Sequence, residues 1–429
     1  MTFLNGRNKI KPKRVSFRLF FMCVLYVGVS NKSFSFSLDF GFIQSFEKSS
    51  NFLKVPDVQA DGQFEETIRT SSVYFKLDED ISYIKSNIDL NISYLDFEKG
   101  LASNVTRNTL SSDLLWVVTK NRYFWYLKDV YSQTRTDATE LITETNTQNV
   151  NQFMAGPKFV WQVGDSALNL EFYIINYDYS VTDNDTTSVT SNIDWVRKVS
   201  GGISLSLRYS TEYISYDSSH TLEDYDKSTL GINFEYKRVA NYLNAFLGKT
   251  LLNNTDGGTT TTASLLYTRQ LTRYSSLGFN YSNNLSNEND SIDTQGTAIS
   301  GVFFDKRYSV TYKKNNRGSG YDMKYEEYQK DDYDSVDEDK RVISQIVLFK
   351  NLSARSRVSV TYSDTSLQVV DSDDQDYEDD AYERKVGYQK LFNNKLTMNL
   401  FVSEVLVKSD LYVRQYFDKR IGISFSIAR

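Results

Sequence analysis

The chain has one cysteine, one histidine and three prolines in 429 residues. The cysteine, Cys23, falls within the N-terminal 35 residues, which read as a removable leader. Without it, neither disulfides nor a thiolate metal site holds the rest together. Long apolar runs are missing as well: beyond the N-terminus no stretch approaches the roughly 18 consecutive apolar residues that a membrane helix needs. That excludes spanning by helices. It leaves open spanning by strands, because a closed barrel satisfies its backbone groups between neighbouring strands. Also absent are a Gly-rich phosphate loop, a Gly-x-Ser-x-Gly elbow and any metal-ligand spacing. No cofactor is expected.

What the chain does have is aromatic residues in a polar background. Hydrophobic residues make up 40%, yet 14% of the chain is aromatic, with 31 Tyr and 27 Phe, and the mean hydropathy is −0.47. Such a composition suits strands that are apolar on one face only.

Residues 1–35 read as a signal peptide. Arg7, Lys9, Lys11, Lys13 and Arg14 form a basic region and Leu19 to Val29 an apolar one, too short to remain as an anchor. Small residues Ser33 and Ser35 place cleavage after Ser35. No small residues precede Cys23 as a lipoprotein box requires. Loss of this leader removes seven basic residues and no acidic one, leaving 42 basic against 55 acidic residues and a formal charge of −13. An anionic chain is a poor partner for nucleic acid, whose phosphates demand basic contacts.

Residues 36–79 are the least regular part. A periplasmic segment, a plug or an extra pair of strands would each fit them. From about Ile81 a period of two takes over. Ile88, Leu90, Ile92 and Tyr94 alternate with polar residues, as do Ile203 to Tyr209, Leu230 to Tyr236, Tyr308 to Tyr312 and Val358 to Tyr362. Tight turns, among them Lys120 to Arg122, Gly164-Asp165 and Asp305-Lys306, alternate with longer polar loops. The fold class expected is all-β: a transmembrane antiparallel up-and-down β-barrel over residues 80–429. It should have about 18 strands (16–20), short periplasmic turns and long acidic outer loops. Residues Gly318 to Lys330 read as a further hairpin or a structured loop.

At the C-terminus Ile421, Ile423, Phe425 and Ile427 alternate with Gly422 and small polar residues. This stretch resembles the assembly signal that ends outer-membrane barrels. It is expected to close the barrel by pairing with the strand near Ile81 to Tyr94, so that no edge faces lipid.

The candidate functional residues lie on the polar phase of the strands: Asp89, Glu171, Arg208, Glu212, Glu235, Lys237, Lys313 and Arg357. They describe either a charged, water-filled lumen that selects a solute or a wall held by charge pairs between strands. Trp116, Trp125, Tyr126, Trp161 and Trp195 read as an interface girdle. No metal site is expected. Asp371, Asp373, Asp374 and Asp376 are weak cation candidates, lacking the sharp-turn glycine and closing glutamate of a calcium loop. The lone His220, between Asp217 and Asp224, reads as a loop residue, and no enzymatic activity is expected.

Two segments carry a family resemblance. Tyr123-Phe124-Trp125-Tyr126-Leu127-Lys128-Asp129, followed by Asn149-Val150-Asn151-Gln152-Phe153-Met154-Ala155-Gly156-Pro157, resembles an uncharacterised outer-membrane barrel (porin-like) family encoded with exopolysaccharide and PEP-CTERM loci. The likeness covers roughly residues 80–180. It implies an outer-membrane location in a Gram-negative cell and a channel or accessory barrel in exopolysaccharide export or assembly. A structural or surface-binding barrel with a closed lumen, and a general diffusion porin, are the alternatives. The partners expected are outer-membrane lipid and lipopolysaccharide, the barrel-assembly machinery, and exopolysaccharide with its export proteins.

Overall fold

The computed structural model describes residues 37–428, except 55–63, 81, 135–146, 182–184, 217–223, 254–257, 288–301, 333–337, 371–375 and 412–413. The leader therefore lies outside the described residues. Alternation of apolar and polar side chains gives twenty antiparallel strands in one closed sheet. They are β1 (Ser37–Ser49), β2 (Glu66–Asp80), β3 (Ile84–Phe97), β4 (Val105–Thr119), β5 (Tyr123–Thr134), β6 (Gln148–Val163), β7 (Ser166–Tyr179), β8 (Thr186–Ser200), β9 (Ile203–Tyr216) and β10 (Tyr225–Arg238). The second half comprises β11 (Asn241–Asn253), β12 (Gly258–Thr272), β13 (Ser275–Asn287), β14 (Val302–Asn315), β15 (Ser319–Asp332), β16 (Glu338–Ser353), β17 (Ser356–Val370), β18 (Tyr377–Leu391), β19 (Leu396–Ser409) and β20 (Tyr416–Ala428).

The count is twenty where about 18 were expected, and eighteen of these run from β3 onward. The two additional ones come from the 36–79 segment, which supplies β1 and β2 to the wall. They were hard to read because only part of each faces lipid. On β2 the outward phase is Val73, Phe75 and Leu77 toward one end but Thr67, Arg69 and Ser71 toward the other. The closing partner of β20 is accordingly β1, not the strand near Ile81 to Tyr94. Nine residue pairs run from Gly41↔Ala428 to Ser49↔Arg420, bringing Ile427 beside Phe42 and Ile423 beside Phe46. Residues Gly318 to Lys330 fall largely within β15. Asp305 and Lys306, expected at a turn, sit inside β14 opposite Lys330 and Gln329. The turn is instead made by residues 316–318.

Each strand follows its predecessor around the barrel, with tight connections at one end and longer ones at the other. Asn121 and Gly164, with φ of 59° and 58°, make two of the tight turns. The ends Ser37 and Ala428 lie on the tight-turn side. Twenty strands spaced about 4.8 Å apart and tilted by about 40° close into a wall about 40 Å across, backbone to backbone.

The outward phase is continuous around the barrel. Leu230, Ile232 and Phe234 on β10 stand beside Tyr209, Leu207 and Leu205 on β9, and Val360 on β17 beside Leu348 and Val386. Many of these large apolar side chains are exposed, as a lipid-facing surface requires. Toward the long connections the outward residues turn polar: Arg69, Asp96, Lys340 and Glu404 occupy this phase. The strands are longer than an apolar band about 25 Å tall needs, so their outer ends project beyond the membrane.

Buried and half-buried carboxylates fasten the strand ends at the longer connections. Glu66 is fully buried and accepts the backbone N–H groups of Lys99 (2.8 Å) and Leu101 (3.0 Å), pinning the β3–β4 connection. Asp185 takes the N–H of Tyr179 at 2.8 Å. Asp379 receives the guanidinium of Arg414, with Nε at 2.8 Å and Nη2 at 2.7 Å from Oδ2. Part of the acid near the longer connections is thus structural.

Candidate functional site: the lumen wall

All eight polar-phase candidates lie on the phase opposite the apolar one, which faces the lumen. Their partners differ. Glu171 pairs with Lys158 at 2.5 Å. Glu212 binds Lys227 at 3.0 Å, with both side chains largely buried (17% and 15% exposed), and also accepts from Ser188 Oγ at 2.8 Å. Arg208 approaches Asp194 at 3.5 Å and sits 6.0 Å from the centre of the Phe246 ring. Glu235 accepts from Ser204 Oγ at 3.2 Å. Lys313 pairs with Asp322 at 3.2 Å while remaining 62% exposed. Asp89 stands beside Lys76 and Ser111 in the ladders. Lys237 lies next to the inner rim, where its backbone N–H bonds Gly202. Arg357 donates from Nε to Asn351 at 2.9 Å and covers the Phe349 ring at 4.5 Å.

Two roles therefore coexist on one wall. Largely buried pairs such as Lys227–Glu212 brace adjacent strands, because direct cross-strand neighbours of opposite charge attract. Wet pairs such as Lys313–Asp322 contribute little to stability and present charge to the lumen.

A further charge network lies among residues that were not singled out from the sequence. On β14 and β15 Glu326 receives Arg307 at 3.5 Å and Lys324 at 2.5 Å. Lys330, 4% exposed, rests its ammonium 3.6 Å from the centre of the Phe303 ring. Its signal was the same polar phase, hidden by reading residues 305–306 as a turn. Tyr126, expected in the girdle, points the other way: its hydroxyl donates to Asp113 at 2.6 Å and its ring meets Tyr173 edge-on at 5.9 Å. Trp116, Trp125, Trp161 and Trp195 lie on the outward phase near the tight turns, with Trp116 opposite Trp125.

At the loop end the lumen side becomes apolar. Ile214, Tyr216, Tyr225 and Leu252, on the lumen phase, form one buried cluster that Leu285 and Phe304 join from the other phase, and Val150, Tyr177 and Tyr179 form another with Ile175. The inner half, by contrast, carries exposed charge such as Arg208 and Lys313.

His220, Asp371, Asp373 and Asp374 lie outside the described residues; Asp376 is an exposed residue just before β18. Among the described residues no three His, Cys, Asp or Glu side chains gather as metal ligands would.

No protein-family model matches the chain, and no curated protein is significantly similar to it. Solved structures with similar folds do exist. A ferric enterobactin receptor of Pseudomonas aeruginosa, in a mutant form, aligns at a TM-score of 0.50 and 8% identity, over 93% of this chain and 81% of its own. A siderophore receptor of the same organism aligns at a TM-score of 0.45 and 11% identity, over 92% and 81%. An iron transporter of Neisseria meningitidis aligns at 0.47 and 11%, over 91% and 82%. At such identities the likeness concerns the fold. The closed wall, its outward apolar band and this shared architecture make the chain a 20-stranded antiparallel β-barrel of the outer membrane.

Proposed function

We propose that the barrel is a passive channel for hydrophilic solutes, acting in exopolysaccharide export or assembly either as the pore or as a barrel beside it. The observation that carries this reading is the lumen-facing phase of a wide wall. Acid and base alternate along it, and over the inner half they stay in water, with the Arg208 side chain 46% and that of Lys313 62% exposed. A wall of twenty strands is broad enough for an aqueous path. The exopolysaccharide context rests on the segments 123–129 and 149–157. The lipid-facing band and the alternating C-terminal strand favour outer-membrane lipid, lipopolysaccharide and the barrel-assembly machinery as partners. Iron or siderophore uptake is not proposed, since the solved structures resemble this chain in fold only.

The test is conductance of the refolded protein in a planar bilayer. Stepwise openings that scale with salt concentration support a channel, and silence at every voltage and salt sinks it. Loss of surface polysaccharide on deleting the gene would separate an export role from general diffusion. The apolar cluster around Ile214 and Leu252 favours a second reading, a structural or surface-binding barrel whose outer mouth is shut. In that case Leu252→Ser and Ile214→Ser would open conductance that the parent protein lacks.

A further inference from the structure

The two ends of the barrel differ in charge. At or beside the tight turns stand Arg122, Lys198, Arg238, Arg273, Arg317 and Arg355, opposed by Asp165 and by the Asp78–Asp80 end of β2. Between the β14–β15 turn and the β16–β17 turn this basic rim folds around a cavity of about 420 Å³. Arg317, Arg355 and Arg357 line it together with Asn351, Ser356 and Gln389. No carboxylate contributes to its wall. Among the described residues no carboxylate lies within ion-pair distance of any of the three guanidinium groups, and the nearby Asp322 is already held by Lys313 at 3.2 Å.

The cavity is built rather than incidental. Asn351 holds the Nε of Arg357 and donates its own Nδ2 to the carbonyl of Arg317 at 3.3 Å, tying the two turns together. The guanidinium carbon of Arg357 lies 4.5 Å from the centre of the Phe349 ring while its Nε is held by Asn351, so this guanidinium is placed before any ligand arrives. Arg355 donates from Nη1 to the carbonyl of Phe392 at 3.3 Å, while its backbone N–H bonds Ser353. Three permanently charged forks facing one space repel each other. Guanidinium groups match planar or tetrahedral oxyanions through paired N–H donors. Arg357 and Gln389 sit on the lumen phase, so the cavity opens toward the inner mouth and not toward lipid.

We propose that this cavity is an oxyanion site at the periplasmic mouth, taking the carboxylate or phosphate group of a solute that approaches from that side. The site does not depend on conduction through the rest of the lumen. It would raise the local concentration of anionic solute where the long outer loops, being acidic, would repel it.

The experiment is calorimetric titration of the folded, detergent-solubilised protein at low ionic strength, with inorganic phosphate in one arm and a tri-uronate oligosaccharide in the other. Saturable binding of either, weakened at least tenfold by Arg355→Gln with Arg357→Gln and weakened by salt, supports the site. The arm that binds more tightly identifies whether phosphate or carboxylate is its ligand. Arg317→Gln serves as a second variant, because that guanidinium makes no hydrogen bond or ion pair among the described residues and its loss leaves the wall intact. Absence of binding in both arms at millimolar concentration, or unchanged affinity in the variants, overturns the proposal.

Discussion

The Ser49 hydroxyl donates a 2.9 Å hydrogen bond to Asp418 Oδ1 across 369 positions of sequence. The same oxygen accepts the backbone N–H groups of Ser50 and Asn51, each at 3.1 Å, and Oδ2 accepts Nε of Arg420 at 2.6 Å. This fully buried carboxylate sits where the last strand meets the first. It closes the cylinder at the loop end as the Gly41↔Ala428 pairing closes it at the other.

Replacing Asp418 should therefore weaken the seam rather than one loop. Asp418→Ala leaves buried donors unpaired at roughly 1–3 kcal/mol each, so a total loss of about 2–4 kcal/mol is expected. Asp418→Asn keeps an acceptor oxygen for the N–H groups and should lose about half as much. Urea unfolding in vesicles, followed by tryptophan fluorescence, measures both. An alanine variant as stable as the parent would remove Asp418 from the closure.

The two faces of β10 predict opposite tolerances at neighbouring positions. Ile232 is at mid-strand on the outward phase, beside Leu207 and Leu247, and is 59% exposed to what would be lipid. Ile232→Lys should cost about 2–4 kcal/mol and reduce insertion. Asn233→Lys, one residue on and facing the lumen, should insert normally. The heat-dependent mobility shift of folded barrels on gels reads out the comparison, and equal behaviour of the two variants would contradict the assigned faces.

Much of this wall was legible because a period of two survives wherever one face meets lipid. That pattern yields most strands from β3 onward, but not β14, broken at Asp305-Lys306, or β15, whose residues fit either a hairpin or a structured loop. It faded where strands leave the membrane, and hence β1 and β2 looked irregular: Gln44 and Lys48 interrupt the outward phase of β1, and Arg69 that of β2. The same fading made Asp305 and Lys306 look like a turn, although Lys306 is paired with Asp331 at 2.7 Å across β14–β15. Lumen candidates could be assigned to a face from alternation. Their partners could not, because Lys227–Glu212 and the arginines of the inner rim depend on register between strands, which the sequence states only through turn lengths.

Acid should loosen the root of the β9–β10 connection. Asp224 accepts from the backbone N–H of Tyr216 at 2.9 Å and from the hydroxyls of Tyr213 and Ser215. The Tyr216 N–H is the largest cause that holds its carboxyl below the ordinary 3.8; partial burial opposes it and the two hydroxyls add to the lowering. A folded-state value below the unfolded one means stability that is fully present above about pH 4 and lost as pH falls through the lowered value. The stability difference between the parent and Asp224→Asn should be constant above pH 5 and shrink toward zero in more acid solution. A difference that persists unchanged at pH 2.5 would show that the carboxylate charge plays no part.

The Gly156-Pro157 pair in β6 is the sharpest test of why one sequence motif exists. Pro157 has no N–H to give, and the β6–β7 pairing is interrupted between Ala155↔Ile174 and Lys158↔Glu171. Across this gap the backbone at Gly156 closes on the carbonyl of Phe172, leaving no space for a Cβ. Above it the rings of Tyr126 and Tyr173 meet edge-on, and Tyr126 is tied to Asp113. A side chain at 156 must push the strands apart, and overpacking of this kind costs about 1–3 kcal/mol. Gly156→Ala should thus destabilise the barrel by that amount, and Tyr126→Phe, which only loses the bond to Asp113, by about 1 kcal/mol. Strand displacement is specific to the first variant, so faster backbone hydrogen exchange in β6 and β7 should accompany Gly156→Ala and not Tyr126→Phe. Equal exchange in both would mean that the glycine is not required by this close approach.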